Sequence, residues 1–155
     1  MFVEPVQNVR NALTTAGAPD TVTVFEDSVP TASAAAEVLQ CEVGAIANSL
    51  IFDLDGKPLL ILASGAAKVN VNLVTALLGA GKIRRASPGF VHQHTGQQVG
   101  GVAPVGHPEK IETILDTSLE QYPLLWAGAG DHNAMFSISY EELQRITDAR
   151  SMRVR

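Results

Sequence analysis

The spacing of apolar residues along the chain predicts helices separated by strands. In the first segment Val6, Val9 and Leu13 fall on one helical face, and a glycine and a proline after them end the helix. Thr31 is a candidate N-cap for an alanine-rich helix, and Ser139 opens a capping box before the last helix. Ser87 is a third candidate N-cap, with Pro88 in the first turn of its helix. The predicted helical segments are residues 6–16, 31–40, 43–48, 69–78, 87–96, 118–122 and 139–148.

Alternating or continuous apolar runs predict the strands. Asp55-Gly56 between two such runs is a strong two-residue hairpin signal. The arginine-containing tail after Asp148 is expected to fray. The predicted strands are residues 21–25 (half-buried), 50–54, 58–63, 83–86, 111–116, 124–127 and 134–138. Because strands and helices are mixed and no repeat or linker interrupts them, we predict an α/β fold with a mixed sheet, in a single domain spanning residues 1–155.

Length and composition describe an ordinary globular domain. The chain has 155 residues, 46% of them hydrophobic and 17% charged, which suffices for a sizeable core. The longest apolar run, residues 58–63, is far shorter than a membrane span, and residues 1–10 lack the apolar region of a signal peptide. The single cysteine, Cys41, excludes an internal disulfide and a multi-cysteine metal site. We therefore expect a cytoplasmic protein with no membrane partner.

Charge is unevenly distributed along the chain. Residues 56–108 carry five basic residues and no acidic ones, whereas the whole chain has a net charge of −5. A basic central segment in an acidic chain suits contact with phosphates, although chance clustering on a solvated face is the alternative. The five basic residues are Lys57, Lys68, Lys82, Arg84 and Arg85.

Several motifs for nucleotide, serine-nucleophile or metal chemistry are absent. Residues 79–82 lack the first glycine and the magnesium-binding hydroxyl of a phosphate loop, and residues 128–130 lack the third glycine of a dinucleotide fingerprint. No Gly-x-Ser-x-Gly elbow is present. His92 and His94 point apart on a predicted helix. We therefore predict neither a cofactor nor a metal.

A glycine-rich segment, residues 98–107, stands out as a candidate site and is called the glycine stretch below. It contains three glycines and Pro104 among valines, and it ends in His107. Adjacent glycines allow close approach of a ligand to the backbone, and proline stiffens the chain. The pattern favours a rigid pocket wall that offers backbone N–H and C=O groups. A β-bulge or tight crossover is the alternative.

Three segments together resemble a known family. They are residues 43–52 (VGAIANSLIF), residues 100–107 (GGVAPVGH) and residues 127–130 (AGAG) before a closing strand and capped helix. In this order and spacing the chain is similar to the YbaK/ProX (EbsC-like) family of prolyl-tRNA-synthetase-associated editing domains over roughly residues 5–148. The resemblance implies a mixed, partly barrel-like β-sheet flanked by helices.

The same resemblance implies a function and a set of site residues. The function is trans-acting hydrolysis of the ester that holds a small wrong amino acid on tRNA, with prolyl-tRNA the first candidate. The expected partners are the tRNA acceptor end and, as a second candidate, prolyl-tRNA synthetase. The expected catalytic residues are Asn48, Gly100 and Gly101, whose groups would orient the substrate and hold the ester carbonyl. The expected substrate-binding residues are Ser49, Val102, Ala103, Pro104, Gly106, His107 and Gly128. The expected tRNA-binding residues are Lys68, Lys82, Arg84 and Arg85.

One position departs from the family pattern. The family usually carries a lysine immediately before its Ser/Thr-Leu pair, and this chain has Asn48 there. An amide offers only neutral hydrogen bonds where a lysine offers a fixed charge, and Lys68 is a candidate to supply that charge from elsewhere. One alternative therefore stays open, a catalytically inert module that binds tRNA ends or another small ligand. A second alternative is an unrelated small-molecule hydrolase, although no sequence motif supports it. His107 also has two interpretations, a site residue or a loop histidine that caps a backbone carbonyl.

Overall fold

The computed structural model describes residues 4–29, 31–66, 68–79 and 81–155. Within these ranges the helices are α1 Pro5–Thr15, α2 Ala32–Leu39, α3 Val71–Leu78, α4 Pro88–Thr95 and α5 Tyr140–Thr147, with 3-10 turns at Val43–Ala45 and Thr117–Gln121. The strands are β1 Thr23–Val24, β2 Ile46–Leu54, β3 Lys57–Ser64, β4 Ile83–Arg85, β5 Glu112–Asp116, β6 Leu125–Gly128, β7 Ala134–Ile138 and β8 Arg150–Met152. None of the described helices has the length and apolar character needed to cross a membrane.

The strands form one mixed sheet in the order β1-β7-β6-β2-β3-β5-β8, and β4 pairs with β2 beside this path. β2 runs antiparallel to β3 and β4 but parallel to β6, while β5 runs parallel to β3 and β8. The predicted α/β class with a mixed sheet is confirmed.

Strand β2 has a break in its pairing on one edge. Its other edge pairs with β3 from Ala47 to Leu54. On the broken edge β2 pairs with β6 at Ile46 and Ala47, and then with β4 from Phe52 to Leu54. Over residues 48–51 this edge has no strand partner among the described residues. At a rise of about 3.3 Å per residue, the gap is about 13 Å long.

The core lies on both faces of the sheet, and β3 runs through its middle. Four consecutive residues of β3, Leu59 to Leu62, are completely buried. Leu60 and Leu62 pack in the cluster that includes α1 and α5, whereas Leu59 and Ile61 pack in the cluster beneath α3. A strand covered on both faces gives the continuous apolar run that the sequence shows.

Local signals in the sequence predict several element boundaries correctly. The hydroxyls of Thr31, Ser87 and Ser139 accept hydrogen bonds from backbone N–H groups three residues on, at 3.1, 3.1 and 3.2 Å, as N-caps do. Asp55 and Gly56 both have positive φ, 50° and 89°, and join β2 to β3 as a tight hairpin.

Three predictions from the pattern are wrong. The predicted helical segment 43–48 is a 3-10 turn only over Val43–Ala45, and residues 46–48 already belong to β2, where they pair with β3 and β6. The predicted strand at residues 21–25 is reduced to Thr23–Val24, both exposed. The side chain of Thr21 replaces strand pairing, because its Oγ1 donates to the carbonyl of Ser137 at 2.7 Å and accepts from the Ser137 N–H at 3.0 Å. The tail is not frayed: β8 pairs with β5, and Met152 and Val154 are buried beneath α3.

Candidate functional site

A cleft of about 740 Å³ opens along the gap in the pairing of β2. Residues 47–52 of β2 line it, and the surrounding loops and helices supply the remaining walls. The glycine stretch contributes Val99, Gly100 and Val102, the end of β6 contributes Gly128, and the β6–β7 turn contributes Asp131. The cleft therefore occupies the place where a further strand partner would otherwise lie.

Two site residues that were predicted from sequence, Asn48 and Ser49, are neighbours on β2 and line the cleft. Asn48 is exposed and Ser49 is half-buried. Because side chains alternate along a strand, Ser49 shares a face with Ala47 and Ile51, which belong to the main core cluster. The Oγ of Ser49 is buried, yet it makes no hydrogen bond with any residue in the described ranges. A buried hydroxyl without a partner costs stability, so this atom suits a polar group of a ligand in the cleft.

The glycine stretch presents some of its residues to the cleft and turns others away. Gly100, with φ of 93°, and Val102 line the cleft, and their N–H groups make no hydrogen bond within the described part of the chain. The N–H of Gly101 instead donates to the carbonyl of Gln98 at 2.9 Å. A Cβ on Gly101 would lie 2.8 Å from the Cα of Asp131, so this glycine permits two backbone segments to touch.

Gly128 has a similar packing role at the end of β6. A Cβ placed on it would lie 2.6 Å from the carbonyl oxygen of Val102, which is closer than real Cβ atoms come. The absence of a side chain therefore lets the glycine stretch lie directly against the end of β6. Both residues line the cleft, so this contact helps to set its width.

Gln97, which the sequence interpretation missed, anchors the glycine stretch from inside. Its side chain is almost completely buried, with 1% exposed. Its Oε1 accepts from the N–H of Ala103 at 2.8 Å, and its Nε2 donates to the carbonyl of Val105 at 3.3 Å. Its own N–H donates to the hydroxyl of Thr95 at 2.9 Å. A single glutamine beside a helix end carries no sequence signal for this role.

Other predicted substrate-binding residues lie outside the cleft. Ala103 and Pro104 are buried, and Ala103 packs in the main core. Gly106 and His107 line a separate cavity of about 310 Å³ against α1. The Nε2 of His107 lies 2.8 Å from the carbonyl oxygen of Ala103, a contact that fits the carbonyl-capping interpretation. Burial lowers the pKa of His107, and the hydrogen bond to Ala103 opposes this shift in part.

Of the four predicted tRNA-binding residues, two line the cleft and two lie outside it. Lys68 and Arg85 are exposed and line the cleft. Lys82 and Arg84 are exposed near β4 but do not line it, and the backbone N–H of Lys82 donates to the carboxylate of Asp55 at 3.3 Å. Asn48 and Lys68 thus share one cleft. In the ranges that the structure describes, no three His, Cys, Asp or Glu side chains are grouped as metal ligands would be.

Comparison with known proteins identifies the family. The model of the aminoacyl-tRNA editing domain matches residues 26–146. The YwhH protein of Bacillus subtilis (strain 168), itself uncharacterized, is 32% identical over 143 residues, which cover 92% of this chain and 90% of YwhH. Proline–tRNA ligase of Lysinibacillus sphaericus (strain C3-41) is 29% identical over 93 residues, which cover 60% of this chain but only 16% of the ligase.

A solved structure gives the same result over the full length. The crystal structure of a proposed trans-editing enzyme for prolyl-tRNA synthetase matches with a TM-score of 0.92 and 34% identity, covering 100% of this chain and 99% of that one. The resemblance predicted from three short segments is confirmed. The chain belongs to the aminoacyl-tRNA editing domain family, of the YbaK/ProX type.

Proposed function

We propose that this protein hydrolyses, in trans, the ester bond between a wrongly attached small amino acid and the 3′-terminal adenosine of tRNA, with prolyl-tRNA as the first candidate. The observation that carries the proposal is the cleft at the gap of β2, which holds Asn48, Ser49, Gly100, Val102 and Gly128 together in a member of the editing family. Its volume of about 740 Å³ is within the range of small-ligand sites, about 300–1,000 Å³.

The chemistry needs little beyond positioning. An aminoacyl ester is activated toward water, so fixing the ester and an attacking water relative to one another supplies much of the acceleration. The N–H groups of Gly100 and Val102 are the candidates to hold the ester carbonyl, because the N–H of Gly101 is already bound to Gln98. Donors aimed at the oxygen stabilise the negative charge that develops on it.

The polar residues of β2 would orient the substrate. The carboxamide of Asn48 offers a donor and an acceptor at the cleft, and the unpartnered Oγ of Ser49 offers one more of each. Lys68 and Arg85 place positive charge in the same cleft, where the phosphate of the terminal nucleotide would pair with it. Lys82 and Arg84 would contact phosphates farther along the acceptor stem.

The test is deacylation of prolyl-tRNA charged with alanine, cysteine, serine or threonine. We expect the native protein to hydrolyse at least one of these esters well above the spontaneous rate. Ser49→Ala should reduce the rate about 5- to 150-fold if the hydroxyl bonds to substrate, as loss of a hydrogen bond of about 1–3 kcal/mol predicts.

A matched control exists for this substitution. Ser118 carries the other buried hydroxyl without a hydrogen bond in the described residues, and it does not line the cleft. Ser118→Ala should therefore keep full activity, and neither variant should lose stability, since an unpaired hydroxyl is removed in both. No hydrolysis of any ester by the native protein would refute the enzymatic proposal and favour the inert binding module.

A further inference from the structure

One residue that the sequence interpretation did not select supplies the negative charge of the cleft. Among the described residues that line it, Asp131 is the single acidic side chain, beside the basic Lys68 and Arg85. Asp131 lies in the turn between β6 and β7, and 52% of its side chain is exposed. It therefore remains accessible to a bound molecule.

The local structure holds this carboxylate in place. The N–H of His132 donates to Oδ1 of Asp131 at 2.8 Å, and the Nε2 of His132 lies 3.4 Å from the same oxygen. The carbonyl of Asp131 accepts from the N–H of Ala134 at 3.2 Å, and the backbone of Gly101 packs against its Cα. Oδ2 makes no hydrogen bond with any residue that the structure describes. One carboxylate oxygen is thus fixed by the backbone, and the other is available.

The charges of the cleft match those of an aminoacyl nucleotide. Such a molecule has an anionic phosphate and, near neutral pH, a cationic α-ammonium group, since α-amino groups have a pKa of about 7.7–8.0. Lys68 and Arg85 complement the phosphate, and Asp131 remains for the cation. A hydrogen bond between two charged groups is stronger than one between neutral groups.

Building on the proposed function, we infer that Asp131 binds the α-ammonium group of the aminoacyl ester and is a specificity-determining residue. The site then distinguishes a free aminoacyl group from one whose nitrogen carries no charge. Esters with an acylated nitrogen, as in a peptidyl group, are rejected, because they leave the carboxylate of Asp131 without its cation.

The experiment measures binding rather than turnover, so that it does not depend on catalysis. Two non-hydrolysable analogues of adenosine 5′-monophosphate are compared, with alanine or lactic acid joined through an amide at the 3′ position. They have nearly the same shape, but the first carries an ammonium group where the second carries a hydroxyl. The proteins are the native chain, Asp131→Asn and Asp27→Asn, a control that removes the same charge from an exposed residue that does not line the cleft.

We expect the native protein and Asp27→Asn to bind the alanyl analogue about 10-fold or more tightly than the lactyl one, the size of a lost charged hydrogen bond. Asp131→Asn should bind the two within about 3-fold, while thermal melting shows it folded. Equal binding by the native protein, an unchanged preference in Asp131→Asn, or failure of both analogues to bind would overturn the assignment. Absence of hydrolysis in the tRNA panel is a separate result, and it overturns the proposed function.

Discussion

Replacing Gly128 by alanine tests whether close backbone packing sets the shape of the cleft. The added Cβ would lie 2.6 Å from the carbonyl oxygen of Val102, about 0.8 Å short of the 3.4 Å at which ordinary contact begins. Both groups are held in place: Gly128 pairs with Met135 in the sheet, and the peptide that joins Val102 to Ala103 is held by the side chain of Gln97, which accepts from the N–H of Ala103. The obstruction is therefore backbone, which cannot swing away as the end of a side chain would.

The structure gives the expected size of the effect. Overpacking of this kind costs about 1–3 kcal/mol, so the free energy of unfolding from urea titration should fall by that amount. A displacement of Val102 by nearly 1 Å would also change the cleft, and misplacement on that scale lowers turnover about 10- to 100-fold. The assays are urea unfolding and tRNA deacylation on the same preparations.

Gly89 provides the matched control. It lies in the first turn of α4, and a Cβ placed on it meets nothing within 4 Å. Gly89→Ala should keep full activity and gain up to about 1 kcal/mol of stability, because alanine favours a helix over glycine. The reasoning would be refuted if Gly128→Ala were as stable and as active as Gly89→Ala.

Three further predictions follow from other parts of the molecule. Asn48→Lys should raise kcat/KM for deacylation about 2- to 30-fold, because a charged hydrogen bond replaces a neutral one at an exposed position; an unchanged rate would show that the family's lysine has no role here. Met152→Ala should lower the free energy of unfolding by about 2–5 kcal/mol in urea titration, whereas a frayed tail would give almost no change. Burial lowers the pKa of His107 in the folded protein, so the stability that neutral His107 contributes is present above about pH 6.5 and is lost as the pH falls below that value. His107→Gln should flatten the pH dependence of the melting temperature between about pH 5 and 7. Identical pH profiles of the native protein and the variant would contradict this prediction.

Local chemistry explains which parts of the fold could be predicted from sequence. Thr31, Ser87 and the Asp55-Gly56 pair act through backbone groups within a few residues, so their signals are contained in short segments. Strand β8 could not be recognised in this way, because it is stabilised by pairing with β5, more than thirty residues earlier. From Arg150 to the end of the chain, exposed arginines alternate with buried Met152 and Val154, which is a strand pattern, but basic residues at a chain end suggest fraying more readily.

The candidate site could be predicted only in part, because some of its residues are placed by contacts with distant parts of the chain. The sequence indicated the glycine stretch as a wall, and Gly100 and Val102 do line the cleft. It could not show that Gly101 faces Asp131, or that His107 faces α1, because neighbours in an irregular loop point in different directions. Asp131 was missed because its relation to the cleft depends on the turn after β6, which brings it to the glycine stretch from a distant part of the chain.

The gap in β2 connects the fold with the recognition that the proposed deacylase activity needs. An unpaired sheet edge carries backbone donors and acceptors that proteins usually cover, because another strand can bind there. Here residues 48–51 keep that edge beside the cleft, and Gly100 and Val102 of the glycine stretch line the same cleft with N–H groups that no described residue binds. Backbone groups and Asp131 suit the parts that all aminoacyl esters share, namely the carbonyl and the ammonium group. Under the proposed function, discrimination among amino acids would fall to side chains that line the cleft, such as Ile51 and Val91, which can change without altering the backbone edge of β2.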